Sequence, residues 1–114
     1  SDIVLEVVEL QAVIDQAGSG LYGRMARLGL AQVQVQAGQF DQAIATFREM
    51  ATRADAELPA DGLLVQLGRA YALAGRKTEA LQTYQRILDE FPDSLYASTA
   101  RRQLDELKAA GPTS

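Results

Sequence analysis

Apolar and small residues recur along this chain at spacings of three and four, the period of helices that each bury one face. Residues 2–17 carry Ile3, Leu5, Val7, Val8, Leu10, Val13 and Ile14, with Glu6, Glu9, Gln11, Asp15 and Gln16 between them. This predicts a helix whose apolar face is too broad to stand alone, with Asp2 placed to favour its amino end. Gly18-Ser19-Gly20 separates it from a second helix over Leu21 to Ala37, ended by Gly38, and a third from Phe40 to about Arg53. Val33-Gln34-Val35-Gln36 alternates as a strand would, but it lies inside a helical stretch and is read as helix.

Residues 61–92 show the pattern most fully. Leu64, Leu67, Gly68 and Tyr71 form one stripe; after Gly75 come Ala80, Leu81, Tyr84, Ile87, Leu88 and Phe91. Gly75 supplies the left-handed residue that ends a helix, and Pro92 stops the following one. So short a connection forces the two helices antiparallel, with Gly68 and Ala80 as the small residues at their closest approach. Beyond Pro92, Asp93 or Ser94 is expected to cap a last helix with Leu95, Tyr96, Thr99, Ala100, Gln103, Leu104 and Leu107 inside. Gly111-Pro112 ends it, and Pro112-Thr113-Ser114 are expected to be disordered.

The chain repeats. Sliding it by 37 residues lays Gly38 on Gly75, Ala43 on Ala80, Phe47 on Tyr84, Leu30 on Leu67 and Ala31 on Gly68. The match weakens where Arg27 faces Leu64, Gln34 faces Tyr71 and Asp55 faces Pro92. Ala54 to Pro59 form a longer connection, with Pro59 placed to begin the next helix.

Composition narrows the function. The 114 residues suit one domain, and the net charge of −4 comes from interspersed acids and bases with no basic run. Nucleic acid is therefore not an expected partner, since neutralising phosphates takes a concentrated basic face. There is no cysteine or histidine, so thiolate chemistry and the commonest general base are absent. Most carboxylates fall at helix ends or on polar faces, and neither Asp89-Glu90 nor Asp105-Glu106 lies across from a second, apolar-walled carboxylate, so no catalytic site is read. Asp55-Ala56-Glu57 followed by Asp61-Gly62 lacks the order of a calcium loop, and no metal or other cofactor is expected. Gly18-Ser19-Gly20 before a helix could cradle an anion, but without a phosphate loop's lysine and strand it reads as a linker. No apolar run is long enough to span a bilayer.

The spacing over residues 61–92 resembles a tetratricopeptide repeat, whose pattern sets large, Leu, Gly, Tyr, Ala, aromatic and Pro positions within about 34 residues. Leu67, Gly68, Tyr71, Ala80 and Pro92 match outright, with Leu64 where Trp is usual and Tyr84 where Phe is usual. The resemblance implies an all-α fold, a right-handed superhelical stack of antiparallel helix pairs with about six helices. Residues 1–17 would be an amino-terminal packing helix, 21–55 a first repeat, 61–92 a second, 93–110 a solvating cap and 111–114 a tail. The first helix is expected either as the second helix of an incomplete hairpin or as an added helix closing the stack, with exchange onto a neighbouring chain as the alternative.

In proteins of this family the first helix of each hairpin lines a concave groove. Carried over one at a time, its positions fall on Met25, Leu28, Gln32, Val35 and Gln36, then Gly62, Val65, Arg69, Ala72 and Leu73, then Ser94, Ala97, Arg101, Leu104 and Asp105. The groove residues singled out are Gln32, Gln36, Val65, Arg69, Leu73 and Arg101. Arg69 and Arg101 are its candidate charges, so an acidic peptide or protein segment is the partner implied. Relatives that grip a chaperone's terminal carboxylate need a lysine and an asparagine where this chain has Leu28 and Gln32, then Val65 and Arg69. That clamp is missing here.

Two functions follow from different classes. One is a non-catalytic protein–protein interaction module. The other is a self-assembly domain, in which residues 3–14 or the last helix build a homo-oligomer within a larger, membrane-anchored protein. Residues 84–107, through Phe91-Pro92-Asp93-Ser94, Tyr96-Ala97 and Ala100, resemble the closing segment of bacterial envelope proteins carrying these repeats. That resemblance implies a periplasmic or envelope setting, with the cytoplasm as the other option. The chain opens inside a helical pattern, so a longer parent protein is expected.

Overall fold

The computed structural model describes residues 2–111, and among them six helices and no strand occur. The helices are α1 (Asp2–Ala17), α2 (Leu21–Gln36), α3 (Phe40–Thr52), α4 (Ala60–Leu73), α5 (Lys77–Glu90) and α6 (Ala97–Ala109). Val33 to Gln36 are helical, as the surrounding periodicity requires. Pro112-Thr113-Ser114, expected to be disordered, lie outside the described residues.

Each helix packs chiefly on the next in sequence, which makes a linear stack of hairpins. The Cα extents of 43 × 33 × 17 Å describe a slab two helices thick. Its radius of gyration is 14.7 Å, against about 13 Å for a compact domain of this size.

The two turns inside the hairpins are the same structure, repeated. Gly38 and Gly75 both have φ +78°. In the first, Gln39 N donates to Gln34 O at 2.8 Å and Gly38 N to Val35 O; in the second, Arg76 N donates to Tyr71 O at 2.8 Å and Gly75 N to Ala72 O. These paired bonds satisfy the last carbonyls of α2 and α4, and only a residue without Cβ takes the left-handed angle at no cost. The second turn adds Arg76, whose guanidinium lies 5.0 Å from the Tyr71 ring centroid and whose Nε meets Glu79 Oε2 at 2.6 Å.

The core runs through both hairpins into α6. Ala31, Ala43, Ile44 and Phe47 come from the first hairpin, Leu64, Leu67, Ala70, Tyr71, Ala80, Tyr84 and Ile87 from the second, and Ala100 and Leu104 from α6. Tyr84, Phe47, Leu64, Ile87 and Leu104 are its largest fully buried side chains. Burying a side chain of this size stabilises the fold by roughly 1.5–3 kcal/mol.

A Cβ added to Gly68 would sit 2.9 Å from the Tyr84 ring, one turn beyond Ala80, so Gly68 makes room for that ring, and Ala80 is itself fully buried. Details differ from the sequence reading in three places. Leu30, laid on Leu67, is half-buried and stands outside the core cluster. Pro59 caps α4 in an extended conformation (ψ 150°) instead of opening its first turn. Neither Asp93 nor Ser94 caps α6, which begins after Tyr96; Leu95, expected inside, is 94% exposed.

Ser94 is diverted by long-range bonding. Its hydroxyl donates to Asp61 Oδ2 at 2.6 Å and accepts from Tyr96 N at 2.9 Å, which tightens residues 91–96 into turns. The equivalent joint after the first hairpin uses charge. Asp55 Oδ1 accepts from the amides of Glu57 and Leu58, and its Oδ2 meets Arg24 Nη1 at 2.9 Å. Arg24 and Asp61 hold equivalent places, 37 residues apart, so in each hairpin the start of the first helix is tied to the connection that follows the second.

Candidate functional site

Consecutive first helices lie side by side along one face of the stack. Gln32 Nε2 of α2 donates to Gln66 Oε1 of α4 at 2.8 Å, which ties the two helices together there. A cleft of about 270 Å³ opens beside that bond, lined by Gln32, Val35, Gln36, Phe47, Gln66 and Arg69. A second, of about 460 Å³, lies between α4 and α6 and is lined by Val65, Arg69, Ala72, Leu73, Tyr84, Thr99 and Gln103. Arg69 belongs to both, so the two clefts meet at its side chain.

Among the six residues singled out, Gln32, Gln36 and Arg69 come together in the first cleft, and Val65, Arg69 and Leu73 in the second. Arg101 lines neither, and it is exposed on α6. Helical geometry gives the reason. Ala100 and Leu104 are the buried stripe of α6; Thr99 and Gln103 each stand about 100° to one side of it, and Arg101 about 100° to the other. Thr99 and Gln103 therefore take the place assigned to Arg101.

The other implied groove positions divide. Leu28 and Val35 pack against the core as half-buried residues, whereas Met25 and Leu73 are exposed. Gly62 lies under the Tyr96 ring, 3.4 Å from where its Cβ would be. Leu104 is core.

Chemically the clefts offer amides, one cation and apolar walls. Gln32, Gln36, Gln66 and Gln103 can both donate and accept, which suits the main chain of a bound segment. Arg69 is exposed, and none of the ion pairs among the described residues involves it. Burial pushes the Tyr84 phenol up, with the nearby Arg69 charge pulling the other way. Among the described residues no group of acidic side chains is arranged to hold a metal ion, and no helix is long and apolar enough to cross a membrane.

Gln66, Gln103, Thr99 and Tyr84 were not singled out from the sequence as groove residues. The available signal was the 37-residue translation, which carries Gln66 onto Gln103.

A family model described as Tetratricopeptide repeat matches residues 9–59 and again residues 28–94. The chain belongs to the tetratricopeptide-repeat family. The two matches together run from within α1 to the connection after α5, so they include both hairpins and their 37-residue translation. No curated protein matches the chain. Tetratricopeptide repeats generally mediate protein–protein interaction, and domains built from them are typically non-catalytic.

Proposed function

We propose that this tetratricopeptide-repeat domain binds a protein partner by taking an acidic peptide segment along the face lined by Gln32, Gln36, Val65, Arg69 and Leu73. The observation that carries the reading is the meeting of two clefts at Arg69. A segment crossing from one cleft to the other passes the guanidinium, which can take a carboxylate in a bidentate bond. The glutamines on either side engage the segment's main chain, and Val65 and Leu73 receive its apolar side chains.

Self-assembly is the weaker reading. The outer side of α6 presents Arg101, Arg102, Asp105 and Glu106 to solvent, which suits a cap. On α1, a second copy would set like charge against like charge.

The test is a panel of fluorescent peptides of equal length, acidic, neutral and basic, titrated against wild type and Arg69→Glu. Acidic peptides should bind wild type best and lose about tenfold or more in affinity to Arg69→Glu. Arg69→Lys should keep most of the preference. Equal binding by wild type and Arg69→Glu, with circular dichroism unchanged, would remove the proposal.

A further inference from the structure

The first hairpin departs from the second at one inward position. Moved along by 37 residues, Arg27 of α2 falls on Leu64 of α4, a core residue only 1% exposed. Arg27 is half-buried, and it takes part in none of the ion pairs or side-chain hydrogen bonds among the described residues. A leucine there would complete the core as Leu64 does, so the first repeat forgoes apolar burial and keeps an uncompensated cation.

Beside Arg27 lies a cleft of about 190 Å³ that Ser19, Arg24, Met50, Arg53 and Leu58 also line. Its walls come from the turn before α2, from α2 and α3, and from the connection after α3, so it forms wholly within the first hairpin and the segments that bracket it. It shares no lining residue with the clefts at Arg69. Gly18-Ser19-Gly20 lacks the lysine of a phosphate loop in sequence, but the fold brings arginines to this turn from α2 and from the end of α3.

Charge and hydrogen bonding narrow the ligand. In a chain of 15 acids and 11 bases, this lining holds three arginines against one carboxylate, Glu49, among the described residues. The three are unequally committed. Arg24 is held by Asp55 at 2.9 Å, whereas Arg53 reaches Glu49 at 4.0 Å and both side chains of that pair are exposed, an arrangement that contributes little. Arg27 and Arg53 are therefore available, together with the Ser19 hydroxyl, which has no partner among the described residues. One carboxylate fills the fork of a single guanidinium; the three terminal oxygens of a phosphate ester can bridge two and accept from a hydroxyl as well. The cleft exceeds the roughly 150 Å³ that encloses a benzene ring, and Met50 and Leu58 give the carbons of an ester an apolar wall.

We infer that this cleft binds a phosphate monoester, with Arg27 and Arg53 bridged by the phosphate and Ser19 as a third donor. The site is separate from the groove at Arg69.

The probe is a short peptide, neutral apart from one phosphoserine, titrated against the whole 114-residue chain. Its counterparts carry serine or glutamate at the same place, and inorganic phosphate is titrated beside them. The phosphoserine form should bind at least about tenfold tighter than either counterpart peptide, with an affinity that falls as salt rises. Arg27→Leu should abolish that binding and raise the melting temperature, because leucine completes the core. Arg27→Lys should keep part of the affinity, Arg53→Gln should cost about tenfold, and Glu49→Gln should tighten binding. Arg69→Glu should leave it intact, so this site and the groove fail separately.

Four results would overturn the inference. Two are an absence of phosphopeptide binding and equal affinity for the glutamate peptide. Another is inorganic phosphate bound as tightly as the phosphopeptide, which would assign the cleft to the free anion. The last is phosphopeptide binding that survives Arg27→Leu, which would place the phosphate elsewhere, at the groove if Arg69→Glu removes it.

Discussion

Helices α1 and α6 stand at opposite ends of the same stack, yet they end it differently. α6 sends Ala100 and Leu104 into the common core and turns arginine, aspartate and glutamate outward. It is also fastened from outside: the Lys77 ammonium donates to the Gly111 carbonyl just past its end, and Tyr96, at its start, covers Gly62. α1 contributes nothing to that core, packs on α2 alone among its strong neighbours and keeps Leu5 and Val8 exposed. Helices of this length are marginal in isolation, so each end is only as firm as its docked face. Among the described residues, then, the stack presents a polar outer face at α6 and an apolar one at α1.

The largest effect should come from breaking the firm end. Leu104→Ala removes a side chain only 1% exposed and should cost about 2–5 kcal/mol, read as a lower midpoint in urea. Leu10→Ala, on the half-buried side of α1, should cost less than half as much. Equal losses would mean the two ends are equally docked.

A smaller loss should separate both ends from the middle. Ala80 is fully buried, and Ala80→Leu should cost about 1–3 kcal/mol through overpacking. Hydrogen exchange should then accelerate in α4 and α5 while α1, expected to exchange fastest because it buries no residue, changes little. If leucine is tolerated there, the hairpin is not closely packed at that point.

The smallest effect concerns the joints next to each end. On the amino-terminal side Arg24 pairs with Asp55; on the carboxyl-terminal side Ser94 bonds Asp61. Amide bonds from Leu58 and the Arg24 guanidinium hold the Asp55 carboxyl below its ordinary range. A depressed carboxyl contributes stability that is complete above the ordinary aspartate range and disappears as pH falls through and below it. Melting temperature followed against pH should therefore drop in that acid window more steeply for wild type than for Asp55→Asn. Parallel curves would show that the pair carries no stability. The pair is exposed and screened by salt, so its share of the total is small.

How far the sequence could be read depended on the range of the interaction concerned. Helix number, the paired glycine turns and the 37-residue translation are local or periodic, and Gly38, Gly75, Ala43 and Ala80 display them without reference to distant residues. Leu95 shows where this stops: its spacing suited a buried stripe, but Ser94 is taken by Asp61, the helix starts after Tyr96, and Leu95 is left in solvent. Arg101 lies outside both clefts for a related reason, since which side of α6 turns inward follows from the burial of Ala100 and Leu104 and not from counting from Pro92. The first repeat tolerates Gln34 at the tyrosine position, where its Oε1 is buried without a hydrogen-bond partner among the described residues. No local signal reports that cost.

Tyr84 has two duties. Its ring fills the seat over Gly68 that sets the separation of α4 and α5, and the same residue forms part of the wall between α4 and α6. If a segment binds in that cleft as proposed, occupancy of the wall and rigidity of the hairpin would be coupled: a guest that braces Tyr84 would raise the melting point of the domain. By the same coupling, a substitution that loosens the α4–α5 spacing would weaken that proposed hold without touching the guest.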